Sequence, residues 1–187
     1  MQNLQMHILK MSRFRTLLAL ALIVCSSNTS FSTTLEASPG KIEVCFSPDD
    51  PCDDKLIDFV KSAQKSIDIA IYDINLDQLV HQLLIKSKSI AVRVLVDNRQ
   101  SKGNHSLVST LIKGGIQVRF GHQKGIMHNK FTIIDNARLE TGSFNYTNHA
   151  SRANNENQIY LSDLEVVGKY RERFEKIWGK GKVLKVE

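Results

Sequence analysis

The chain has 187 residues, 42% hydrophobic and 24% charged, which allows one domain with its own core and excludes a disordered chain. Its formal net charge is +6, but three of the 25 basic residues (Lys10, Arg13 and Arg15) fall in the first 32 residues, which hold no acid. Without them 22 basic residues face 19 acidic ones, a surplus compatible with polyanionic partners that does not demand them.

Those three cations precede an apolar stretch, Leu17 to Cys25, and Ser30-Phe31-Ser32 then places small residues where a signal peptidase cuts. Residues 1–32 read as a secretory signal peptide, with Met11 an alternative start. The apolar stretch is short of the ~18–20 residues needed to cross a bilayer. A stable membrane anchor is therefore not expected, and Val24 is too bulky for a lipoprotein box. The expected location is exported: periplasmic or secreted. Residues 33–40, rich in Ser, Thr, Pro and Gly, read as a linker, leaving 41–187 as the functional domain. Cys45 and Cys52 are then the only cysteines of the mature chain. In an oxidising compartment a disulfide is the natural reading, with two free thiols the alternative. The Cys-x6-Cys spacing is poor for zinc.

Lys41 to Phe46 alternates as a strand does. Asp50 and Pro51 read as the cap and first position of a helix over 51–64, with Asp53 and Asp54 in its first turn. Ser66 to Tyr72 reads as a strand with Ile67, Ile69 and Ile71 on one face and Asp68 and Ala70 on the other. Asn75 is expected to cap a second helix, whose apolar stripe is Leu76, Leu79, Val80, Leu83 and Leu84. Ile90 to Val96, apolar apart from Arg93, reads as a central strand. The polar loop from Asp97 to Asn104 follows it, at a strand end where open α/β sheets carry ligand sites. A third helix covers Ser106 to Ile112, ended by Gly114-Gly115, and Ile116 to Phe120 is a further strand. After a loop from Gly121 to Met127, Lys130 to Ile134 and Arg138 to Thr141 form a hairpin turning at Asp135-Asn136-Ala137. Asn145 to Asn155 reads as irregular, Glu156 to Leu161 as a strand, and Asp163 as the start of a last helix to Trp178. The alternation gives an α/β fold: one domain, a mixed β-sheet flanked by helices on both faces.

The chemistry concentrates in residues 126–145. Side chains two apart on a strand share a face, so His128 and Lys130 project together. Asp135 has the opposite parity and is suited to orienting neighbours. Gly142 is expected to let the backbone approach a ligand, and Ser143 and Asn145 can donate hydrogen bonds to phosphate oxygens. Lys130 offers charge where it develops in a transition state, and an imidazole can serve as nucleophile or acid. Taken singly, each has an ordinary reading: a surface histidine, a solvated lysine, a turn, a loop. Their concentration in eighteen residues is what makes them a candidate site.

His128-x-Lys130-x4-Asp135 followed by Gly142-Ser143-x-Asn145 resembles the signature of the phospholipase D superfamily, and is most similar to its short bacterial branch with one motif per chain. The resemblance runs from Val44-Cys45-Phe46-Ser47-Pro48 to the last helix. It implies a phospholipase D-like α/β sandwich and hydrolysis through a covalent phosphohistidine, with no metal or other cofactor. His128, Lys130, Asp135 and Glu156 are then the catalytic set, with Ser143, Asn145 and Lys130 binding substrate. The reaction needs two such motifs, so the resemblance implies a homodimer with a shared active site.

Two substrate classes stay open. Arg99, Lys102, His122, Lys124 and Arg152, in loops expected around the site, could track a DNA or RNA backbone, with Phe144 and Tyr146 as sparse stacking platforms. Alternatively Ile126 and Met127 could form an apolar lip for a phospholipid surface. A catalytically inert phosphate- or nucleic-acid-binding protein is the non-enzymatic alternative, and no His-Glu-x-x-His set marks a metal-dependent hydrolase.

Overall fold

A computed structural model of the chain describes residues 41–121 and 125–184. The signal peptide, the linker, His122 and Lys124 lie outside the described residues. In chain order the elements are β1 (Glu43–Ser47), α1 (Cys52–Lys61), β2 (Ser66–Ile71), α2 (Asp77–Lys86), β3 (Ala91–Val96), α3 (Val108–Lys113), β4 (Gln117–Phe120), β5 (Lys130–Ile134), β6 (Arg138–Gly142), α4 (Asn148–Arg152), β7 (Glu156–Leu161), α5 (Leu164–Trp178) and β8 (Lys182–Val183). The strands form one sheet in the order β1-β7-β6-β5-β2-β3-β4-β8. β2, β3 and β4 run parallel, and the remaining pairings are antiparallel.

The central strands are apolar on both faces because both are covered. Ile67, Ile69, Ile71, Val92, Val94 and Val96 pack with Leu56, Val60, Leu79, Leu83 and Leu111 of α1, α2 and α3. Ala70, Leu95, Phe131, Ile133 and Leu139 pack on the other side with Val167, Phe174, Ile177 and Trp178 of α5. The expected mixed sheet with helices on both faces is the observed architecture. Arg93, the one charge in β3, faces α5. It holds Asp68 through two bonds of 2.7 and 2.8 Å and Glu175 at 2.7 Å, with its guanidinium over the Phe174 and Trp178 rings. That bidentate, stacked use of a guanidinium pins α5 to the sheet.

The disulfide is present: Cys45 of β1 is joined to Cys52 at the start of α1, both buried. Several local expectations need correction. Asp50 does not cap α1; its carboxylate turns back to accept from the Phe46 N–H at 2.9 Å. Asn75 does not cap α2; its Oδ1 accepts from the Asn148 N–H at 3.0 Å, and so joins two loops. The stretch expected to be irregular contains α4, capped by Thr147, whose hydroxyl accepts from the Ala150 N–H at 3.1 Å. The two-residue β8 edge strand was too short to leave a periodic signal.

A polar cluster lies within the helix-covered core. Tyr146 donates to Glu140 and shares a 2.6 Å hydrogen bond with Thr132. Burial pushes the Glu140 carboxyl up to about 8, although the Tyr146 hydroxyl acts against the shift. Between the ordinary value of 4.5 and about 8 the folded state holds a proton that the unfolded state has lost. Stability therefore falls as pH rises through that window. Glu140→Gln keeps an acceptor for Tyr146 and removes the titration. We expect its melting temperature to change less between pH 5 and pH 8 than that of the wild type, with a gain at pH 8 on the order of 1–3 kcal/mol. Parallel pH–melting curves check this.

Candidate active site

One edge of the sheet collects the C-terminal ends of β2, β3, β4 and β6 and the N-terminal ends of β5 and β7, as the pairings Ile71↔Lys130, Val96↔Phe120 and Gly142↔Gln158 require. The loops there are tied together through the backbone. The Tyr146 N–H donates to the Asp73 carbonyl, while the Asn75 and Leu76 N–H groups donate to the Tyr146 carbonyl. Asp73 Oδ2 accepts from Gln100 at 2.9 Å. The loops after β2, β3 and β6 thus form one bonded rim, rigid enough to fix side chains.

His128 stands on this rim just before β5, and its side chain is open to solvent. Lys130 opens β5 and is buried. The two side chains do meet: Lys130 Nζ lies 3.1 Å from His128 Nδ1 and donates to the His128 carbonyl at 3.0 Å. Burial draws the Lys130 ammonium below its ordinary range, and the Glu156 carboxylate acts against that. Glu156, the first residue of β7, accepts from the Ser143 hydroxyl and from Asn154 at 2.9 Å. The Ser143 hydroxyl accepts in turn from the Asn157 N–H at 3.1 Å. Asn145 follows on the same loop, and its Oδ1 is buried without a partner among the described residues. His128, Lys130, Ser143, Asn145 and Glu156 therefore share one edge of the sheet. Within the chain, Glu156 is bonded to Ser143 and Asn154 rather than to His128.

Asp135 is not with them. It sits at the far end of β5, roughly 16 Å from Lys130 at ~3.3 Å per residue. There its carboxylate accepts from the N–H groups of Gln64, Lys65 and Ser66 at 2.6 to 3.2 Å. Burial raises this carboxyl, but these donors outweigh it and hold the pKa below the usual range. Asp135 and Asn136 take φ of 57° and 54°, the paired left-handed values of a type I′ turn, closed by the Ala137 N–H on the Ile134 carbonyl. Grouping Asp135 with the catalytic residues is thus corrected: it positions β5 by locking its turn to the start of β2.

Three further readings change. Gly142 is required by a neighbouring strand rather than a ligand, since a Cβ there would stand 2.0 Å from the Asn157 carbonyl oxygen. Phe144 and Tyr146 are fully buried core residues and cannot stack on bases. Met127 is buried as well, so the apolar lip is Ile126 alone, 55% exposed.

Two supporting residues were not singled out in the sequence. Tyr72, just beyond β2, lays its ring 4.6 Å from that of His128, and its face is 5.2 Å from Lys130 Nζ. Asp97, at the end of β3, is buried. It accepts from the Arg99 and Gln100 N–H groups and, at 3.0 Å, from that of Met127, the residue before His128. Burial raises the Asp97 carboxyl, but these backbone donors more than offset it, and the net shift is downward. Both residues close apolar strand runs at the ligand-bearing edge, which was the available signal.

A solvent-facing imidazole, a desolvated ammonium and a hydroxyl–carboxylate pair thus share one edge of an α/β sandwich. Residues 56–178 match the family model described as "Cardiolipin synthase, PLD-like domain". The chain belongs to the phospholipase D-like superfamily. It is 35% identical over 125 residues to a mitochondrial cardiolipin hydrolase of Chlamydomonas reinhardtii, covering 66% of this chain and 56% of that relative. It is 33% identical over 137 residues to a phospholipase D of Rickettsia bellii, covering 72% and 68%. The chain thus spans little more than half the length of the first of these relatives. Among solved structures, the phospholipase D family member Nuc from Salmonella typhimurium superposes with a TM-score of 0.74 at 25% identity, covering 78% of this chain and 99% of Nuc. NucT from Helicobacter pylori, at 24% identity and a TM-score of 0.69, shares the fold.

Proposed function

We propose that the protein is a metal-independent phosphodiesterase of the phospholipase D type, acting through a covalent phosphohistidine on phospholipid head-group bonds. The observation that carries this reading is the contact between exposed His128 and buried Lys130, beside the Ser143–Glu156 pair. A nitrogen of His128 attacks phosphorus, and the bond from phosphorus to the leaving oxygen breaks. A second histidine gives that oxygen its proton. It then takes a proton from water as the water's oxygen attacks phosphorus and releases His128. Lys130, Ser143 and Asn145 hold the non-bridging oxygens, where charge accumulates.

One chain supplies one such histidine, and the second is assigned to another copy. Two features support a homodimer with a shared active site. His128 is exposed at the sheet edge, and Ile42, just before β1, and Val44 and Phe46 of β1, each more than half exposed, form one uncovered face. The register Phe46↔Asn157 ends that face beside the strand start that carries Glu156, next to the half-site, as an isologous interface across a two-fold axis requires.

The relatives named cardiolipin hydrolase and phospholipase D favour a lipid substrate, as does exposed Ile126 beside His128. A nuclease acting on DNA or RNA is the second reading. It is favoured by exposed Arg99, Lys102 and Arg152, but the burial of Phe144 and Tyr146 removes its stacking platforms. A catalytically inert binding protein would have no need of a buried ammonium against an exposed imidazole. Export, with the disulfide suited to an oxidising compartment, completes the reading. Among the described residues no helix is long and apolar enough to cross a membrane. The grouping with metal-ligand geometry is Cys45, Asp50 and Cys52, whose sulfurs are bonded to each other.

The test is a parallel assay on phospholipid vesicles, plasmid DNA and RNA in excess EDTA. We expect lipid hydrolysis that persists undiminished in the chelator. Loss of activity restored by a divalent ion would remove the metal-independent mechanism, and cleavage of nucleic acid alone would assign the second reading.

A further inference from the structure

The mechanism above asks two opposite things of one side chain. As nucleophile the His128 imidazole must be neutral. As the acid that serves the leaving oxygen, the His128 imidazole of the second copy must be charged. The contact with Lys130 suits the first state. Lys130 Nζ lies 3.1 Å from Nδ1 and 3.3 Å from Nε2, so it can donate to whichever nitrogen of a neutral ring carries the lone pair. A charged imidazole has a proton on both nitrogens and no acceptor left. It then meets the ammonium as one cation meets another. Among the described residues no carboxylate pairs with His128, and Glu156 is turned to Ser143 and Asn154.

One group lies against both cations, and the mechanism has given it no task. The Tyr72 ring has its centroid 4.6 Å from that of His128, with the planes tilted by 58°. Lys130 Nζ stands over the same ring at 5.2 Å. An aromatic face carries the negative part of the ring quadrupole and attracts a cation within about 6 Å. The backbone fixes Tyr72 from both sides. Ile71 pairs with Lys130 across the sheet, and the Asp73 carbonyl accepts from the Tyr146 N–H at 3.1 Å. Tyr72 is half-buried and outside both apolar clusters, so its removal disturbs the site more than the core.

We propose that Tyr72 is a positioning residue for the acid step: its ring orients the charged His128 imidazole and offsets the repulsion of Lys130 while the leaving oxygen takes its proton. In that step the bond from phosphorus to the head-group oxygen breaks and the oxygen keeps the bonding pair. The proton passes to it from a ring nitrogen of His128 in the second copy, which becomes neutral, and Tyr72 of that copy attends the transfer. This role rests on the phospholipid reading above and concerns the same site.

The experiment compares two lipids that share the phosphatidyl body and differ in the leaving group, in micelles of the same detergent. Phosphatidylcholine releases an alkoxide that needs a proton, whereas phosphatidyl-p-nitrophenol releases a phenolate that leaves without one. The enzymes are the wild type, Tyr72→Leu and Tyr72→Phe, each shown by a thermal melt to be folded. We expect Tyr72→Leu to lower kcat/KM on phosphatidylcholine by about tenfold, the effect of one lost cation–ring contact, and to cost much less on the aryl ester. Tyr72→Phe keeps the ring and should recover most of that loss. Equal losses on the two lipids would make Tyr72 merely structural, and no loss on either would make it dispensable; both results overturn the role. A loss in Tyr72→Phe as large as in Tyr72→Leu would move the effect to the hydroxyl and contradict it as well. A wild type that hydrolyses neither lipid would instead overturn the phospholipid reading itself, and this role with it.

Discussion

Replacing His128 with alanine should lower turnover by at least about 10⁴-fold while leaving the melting temperature within experimental error of the wild type. The first half follows from the chemistry. In the proposed dimer the substitution deletes the nucleophile and also the acid that serves the leaving oxygen, and groups acting as one unit fail together. The second half follows from packing. His128 is exposed, and its ring contacts are the tilted ring of Tyr72 and the ammonium of Lys130, neither part of the hydrophobic core. A steady-state assay with a thermal melt on the same preparation checks both. Near-normal turnover would remove His128 as nucleophile.

Lys130→Met should cost about 10²–10³-fold, carried by kcat, with a smaller change in KM. The buried ammonium is placed before substrate arrives, anchored on the His128 carbonyl at 3.0 Å and facing the Tyr72 ring. Such a charge acts most on the transition state, where negative charge gathers on the non-bridging oxygens. Methionine matches the length of the stem in a site that already penalises the charge by burial, so the fold should tolerate it. Rates measured over a range of substrate concentrations separate kcat from KM. A rise in KM with kcat unchanged would reassign Lys130 to ground-state binding.

The sheet and its two helical layers were legible because their signals are long. The Ile67/Ile69/Ile71 alternation and the α5 stripe through Val167, Phe174 and Ile177 each repeat several times. The parity of Asp135 against His128 and Lys130 already separated it from the pocket, and its bonds to Gln64, Lys65 and Ser66 supply the reason. What stayed hidden depends on long-range pairing. Gly142 looked like a ligand loop because nothing local reveals that β7 passes over it. Phe144 and Tyr146 looked available because the core cluster that buries them, with Ile69, Ile71, Ile74 and Leu79 among its members, comes from elements far away in sequence. The place of Tyr72 against His128 likewise follows from β2 pairing with β5, more than fifty residues on.

The central claim is that residues 126–145 are half of an active site, completed by a second copy. It is tested most directly by mixing subunits. Wild-type and His128→Ala chains are unfolded together at varying ratios, refolded and assayed at constant total protein. If both histidines serve one shared site, only wild-type pairs are active, and the rate follows the square of the wild-type fraction. A rate that falls in simple proportion to that fraction would mean that each chain works alone, and would contradict the account.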